Sequence, residues 1–207
     1  MGCTQEQIRA AQDLLASLQD FANRQSNAVL EVLQGQAPGQ QQHYPPDGPV
    51  VFGNGQWRAF YHCHASPDTL STEHGHFHIF TCCGDGDWRH VAGLSMDRQG
   101  QPLCWFAVNR WVSGGEWLEQ EGVQQALRQL QTEAGAGPVA TWLNAMLRCY
   151  TVSLQTLFAE RDADLSRIMA ETTREDVFRK REVYFLAQQA ISLASDIHTC
   201  LQNKQCQ

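Results

Sequence analysis

Between Val50 and Val112 the chain is cut into short runs rich in aromatic and β-branched residues, joined by turns too tight for a crossover helix. Four strands are expected: Gln56–His64, His76–Cys83, Trp88–Met96 and Leu103–Asn109. GDGD at 84–87 and DRQGQP at 97–102 read as turns, so the last three strands form an antiparallel meander. The first connection, ASPDTLSTEHG, is longer and carries Pro67 and Gly75.

On either side the period changes to that of a helix. Thr4 and Gln7 form a capping box, and Ile8, Ala11, Leu15, Leu18, Ala22, Val29 and Leu33 follow at helical spacing. This predicts one N-terminal helix over 4–34, ended at Gly35, with a Pro/Gly/Gln linker over 35–49. After Gly114-Gly115 the segments Glu116–Thr132 and Val139–Glu160 read as helices. A second capping box at Thr172 and Glu175 opens a long C-terminal helix reaching about Asn203. The expected fold class is therefore α+β: a four-stranded antiparallel meander packed against several helices, with long N-terminal and C-terminal helices. The 207 residues make a single domain, 1–207, with the sheet in 50–112 and the helical part in 116–204. Helices cover one sheet face, and apolar surface left over could be buried in a homodimer.

Composition narrows the function. Fifteen Lys+Arg against 22 Asp+Glu give a net charge of -7, which argues against nucleic acid as a partner. No apolar run is long enough to cross a bilayer, so no membrane association is expected. The N-terminus lacks a secretory pattern, which predicts a cytoplasmic protein with reduced thiols. The eight cysteines have no C-x-x-C spacing and most are read as small buried hydrophobes, while the vicinal Cys82-Cys83 pair is a poor start for a disulfide framework. There is no phosphate-binding Gly-rich loop, no G-x-S-x-G and no H-E-x-x-H.

Five of the eight histidines fall between residues 62 and 78, in FYHCHASPDTLSTEHGHFHIF. Strand residues i and i+2 share a face, so His62 and His64 point one way on the first strand, as do His76 and His78 on the second. With 65–75 as the connection, His64 faces His76 and His62 faces His78. Opposed Cβ atoms lie ~4.5–5.5 Å apart. Four imidazoles would then form a square able to share one ion, provided the register holds. Glu73 and Asp68 offer a carboxylate, Glu73 as ligand or general base. Three histidines with water suit catalytic zinc, whereas two histidines with a carboxylate suit non-haem iron. His43, His90 and His198 belong with ordinary half-buried histidines. Arg110, at the end of the fourth strand, is the expected anchor for a small-molecule substrate. Trp57, Trp88, Trp105, Trp111 and Trp117 cluster around the sheet as core, and would also serve as an aromatic wall for an organic ligand.

The string H-G-H-F-H-I-F over 74–80 resembles the histidine-triad signature of nucleotidyl hydrolases and transferases. That resemblance would make His76 the nucleophile on an α-phosphate, with His74 and His78 as supports. On a larger scale, E-H-G-H-F-H-I-F, W-R-H-V-A-G-L-S-M-D and N-R-W-V, spanning 73–112, resemble an uncharacterised bacterial protein family of unknown function. This implies no activity, but it implies that Glu73, His76, His78, Asn109, Arg110 and Trp111 belong to one site. A metal-binding protein, in the sharper form a mononuclear metalloenzyme, is the leading expectation. Histidine-triad-like chemistry and a non-catalytic ligand-binding or metal-storage module are the alternatives.

Overall fold

The computed structural model describes residues 3–39, 42–63, 72–83, 86–130 and 135–202. It is an α+β protein whose described residues form eight helices and a six-stranded sheet. The strands β1 (Val50–Phe52), β2 (Trp57–His62), β3 (Gly75–Cys82), β4 (Trp88–Met96), β5 (Pro102–Val108) and β6 (Phe185–Ala190) lie in sequence order, every neighbour antiparallel. Four expected strands are therefore present and two more join them. β1 is only three residues long, turned back by Gly53, Asn54 and Gly55, all with positive φ.

β6 overturns the long C-terminal helix. That segment is instead α7 (Arg174–Arg179), then β6, then α8 (Leu193–Gln202). A broad apolar pattern resembles a helix, but Val183-Tyr184-Phe185 favour extended backbone. The outer edge of β5 needs a hydrogen-bonding partner, and β6 supplies it from Cys104↔Ala190 to Val108↔Phe185. The N-terminal helix also divides, into α1 (Gln5–Asn23) and α2 (Ala28–Leu33). Gln25 has φ 52, and Asn27 Oδ1 accepts from Val29 N and Leu30 N at 2.9 Å, restarting the helix. The expected box at Thr4 is formed, with Thr4 Oγ1 accepting from Gln7 N at 3.1 Å and Thr4 N donating to Gln7 Oε1 at 2.9 Å.

Between β5 and β6 run α3 (Arg110–Ser113), α4 (Gln120–Gln129), α5 (Pro138–Cys149) and α6 (Thr151–Met169). One face of the sheet, carrying Trp57, Ala59, Tyr61, Phe77, Ile79 and Leu94, merges with the apolar sides of α1, α5 and α6 into the main core. Phe77 packs on Trp142 of α5 with ring centroids 5.8 Å apart. Arg148 of α5 is only 4% exposed; its guanidinium ties Glu6 at 2.6 Å and Asp13 at 2.8 Å, bolting α1 to α5. The segment expected as a linker is partly pinned: Tyr44 is buried and bridges to Tyr61 on β2.

A disulfide joins Cys3, beside the cap of α1, to Cys200 of α8, with Cα atoms 5.4 Å apart. The cysteines as small reduced hydrophobes therefore hold at buried Cys104 and Cys149 and fail at this pair; Cys206 lies outside the described residues. Among the described residues no helix is long and apolar enough to cross a membrane.

Candidate metal centre

Alternation along β2 and β3 sends the residues between the core positions to the other face of the sheet. Arg58, Phe60 and His62 of β2 meet His76, His78 and Phe80 of β3 there. The pairing is His62↔His76 and Phe60↔His78, so the expected opposition of His64 to His76 and His62 to His78 is corrected by a slide of two residues. A two-residue slide preserves the face, which is why the cluster survives it. Gly75 permits the close approach: a Cβ there would stand 2.6 Å from His62 O and 2.6 Å from Tyr61 Oη. His64 and Asp68 lie outside the described residues.

His62, His76 and His78 each offer a ring nitrogen within 4.8 Å of the other two, close enough to bind a metal ion. His62 Nε2 and His76 Nε2 are 2.7 Å apart. Around a tetrahedral ion with ~2.0–2.1 Å bonds, ligand nitrogens stand roughly 3.3 Å from one another. Shifts of about an ångström or less would bring the pair into that geometry. His76 is 2% and His78 9% exposed, while His62 is partly open.

The surroundings orient these rings. Glu73, immediately before β3, has Oε1 2.6 Å from His76 Nδ1, and Ser95 Oγ of β4 donates to its Oε2 at 2.5 Å. A carboxylate accepting from Nδ1–H fixes the tautomer that presents Nε2 as a ligating nitrogen. His78 Nδ1 lies 2.8 Å from His90 Nε2 in the same manner. Burial pushes the pKa of His90 down to about 3, with the nearby His76 a second cause, so it is neutral near pH 7. Beneath the rings lies Phe106 of β5, 5.2 Å from His76 and 6.0 Å from His78 between centroids. Phe106 reaches them across Gly93, whose absent Cβ would stand 2.0 Å from Phe106 Cζ.

The other sequence candidates divide. Glu73 joins the cluster behind His76, both its oxygens engaged. Arg110 is occupied elsewhere: Nε donates to Gly115 O at 3.0 Å and Nη1 lies 3.3 Å from Glu175. Asn109 and Trp111 donate to backbone carbonyls of Val177 and Val183, holding the segment that leads into β6. His74 turns to Tyr61, its Nδ1 2.8 Å from the phenol oxygen; burial raises the Tyr61 pKa, so the phenol donates. Two histidines read as ordinary do belong here: His90 contacts His78, and exposed His43 stands 5.6 Å from the His62 ring. Strand parity alone misses His90, because a bulge at Ile79/Phe80 places Phe80 opposite His90 and so returns it to the face of Gly93 and Ser95.

Fold and cluster together define an α+β protein with one sheet face built as core and the other carrying a three-histidine group close enough for a metal. A family model described as a domain of unknown function, DUF6969, matches residues 8–191, and the chain belongs to that family. No curated protein and no solved structure matches it.

Proposed function

We propose that the protein is a mononuclear metalloprotein with a His62–His76–His78 zinc centre, and that it works as a metalloenzyme using the fourth coordination position for water or substrate. The observation that carries this is the convergence of three ring nitrogens within 4.8 Å while Glu73 holds the far side of His76. Three imidazoles leave a zinc ion its full positive charge, which lowers the pKa of bound water toward ~7 and gives a nucleophile at neutral pH. Glu73 favours zinc over a facial iron triad in this reading, since its two oxygens already serve His76 and Ser95. Its role is to position His76 and strengthen its basicity. Arg110, engaged with Gly115 and Glu175, is not needed. Phosphoryl chemistry through His76 gains little support, because that ring is 2% exposed and both its nitrogens have partners in Glu73 and His62.

Competition titration of chelator-treated protein with a chromophoric zinc indicator tests the site. One equivalent should bind, and His76→Ala and His78→Ala should each abolish tight binding while far-UV circular dichroism is kept. Undiminished stoichiometric binding in both variants, or none in the wild type, would overturn the reading.

A further inference from the structure

The face that carries the histidines continues along β2 to a cation that the metal centre does not use. Arg58 precedes His62 by four residues, so alternation puts both on one face, ~13 Å apart along the strand, with Phe60 between them. The guanidinium carbon stands 4.4 Å from the ring centre of Trp88, 5.4 Å from Phe80 and 5.8 Å from Phe60. Such stacking fixes a guanidinium in place, and a cation covering aromatic surface is common by itself. Nε is buried, which leaves the Nη edge of the guanidinium as the part that a partner can reach. No carboxylate among the described residues forms an ion pair with this arginine.

We propose that Arg58 is the anchor for the carboxylate of an organic monoanion, whose apolar body crosses Phe60 and Phe80 toward the three histidines. The two Nη nitrogens, which unlike Nε are not buried, form the fork that a carboxylate accepts in bidentate fashion. A single guanidinium matches a single negative charge. A phosphate dianion would call for a second cation, and Arg89 alternates to the opposite face, opposite Thr81. The substrate class is therefore a carboxylic acid carrying its reactive group several bonds from the carboxylate. Only the assignment of the reactive end rests on the metal reading above; the anchor stands without it.

Calorimetric titration of the full-length protein, chelator-treated and zinc-loaded, with 4-phenylbutyrate, phenyl phosphate and the straight dicarboxylates from succinate to dodecanedioate separates these points. In chelator, 4-phenylbutyrate should bind the wild type, and Arg58→Met should weaken it by about tenfold or more, the loss of one charged hydrogen-bond pair. Arg58→Gln gives the same comparison with a polar side chain should the Met variant fail to fold. In zinc-loaded protein the dicarboxylates should show an optimum at an intermediate length, one carboxylate on Arg58 and the other on the ion. Arg58-dependent 4-phenylbutyrate binding without a length optimum would support the anchor and count against the metal centre. No binding of 4-phenylbutyrate, equal binding by a folded Arg58 variant, or tighter binding of phenyl phosphate would overturn the anchor.

Discussion

The two faces of β3 differ in kind. Phe77 and Ile79 point into a core shared with α1 and α5 and are fully buried. His76 and His78, their immediate neighbours, are almost as buried yet polar, each with a ring nitrogen held by a polar side chain, Glu73 for His76 and His90 for His78. Burying an imidazole needs a hydrogen bond for each nitrogen or it costs stability, whereas burying a phenyl ring is favourable outright. The apolar face thus accounts for the fold, and the histidine face is better explained by what it can bind.

Substitutions on the two faces should separate stability from metal binding. Phe77→Ala should have the largest effect, a loss of about 3–5 kcal/mol in urea unfolding, because it opens a cavity against Trp142. Gly93→Ala comes next: the new Cβ meets the Phe106 ring, which must shift at a cost of about 1–3 kcal/mol and disturb the seat of His76, so both the urea midpoint and zinc affinity should fall. Glu73→Gln keeps the volume but removes the charge that fixes the His76 tautomer. Zinc affinity should fall about 10–100-fold by competition titration, the usual effect of losing such a partner, with little change in the chelator-treated urea midpoint. An equal loss of stability from Phe77→Ala and His76→Ala, with zinc binding intact in both, would erase the distinction.

The smallest expected differences lie at the ends of the pH range. His90 has its pKa lowered to about 3, so below about 6.5 the unfolded chain binds the proton that the folded chain refuses. Stability in chelator should therefore fall as pH drops from about 7 to 5, and His90→Gln should flatten that slope. Cys149 on the core side is the reverse case, its thiol pushed up to about 11 by burial. The unfolded thiol ionises first, so stability should decline as pH rises beyond about 9, and Cys149→Ala should reduce the decline. Urea midpoints measured across the two ranges check both.

Much of this was legible in the sequence where a local rule governed. The Thr4 capping box, the four central strands and the face shared by His62, His76 and His78 follow from hydrogen-bonding chemistry and the two-residue period. What escaped depends on long-range contact. The pairing that makes 185–190 a strand comes from the free edge of β5, which nothing near Phe185 announces. The register of β2 on β3 brings Gly75 close against His62 and Tyr61, a contact that no local pattern announces, and His90 reaches the cluster only through a bulge. Ser95 and Phe106 became part of the site by lying on neighbouring strands. Arg110, the strand-end arginine that suggested a ligand, is engaged with Gly115 and Glu175.

The central claim is that one ion is held by His62, His76 and His78 together. Zinc K-edge X-ray absorption on protein loaded with one equivalent addresses it directly. A first shell of nitrogen and oxygen at ~2.0–2.1 Å, with outer-shell scattering from three imidazoles, is the expected spectrum. Sulfur scattering at ~2.3 Å would move the ion to the cysteines, and a shell with no more than one imidazole would contradict the centre.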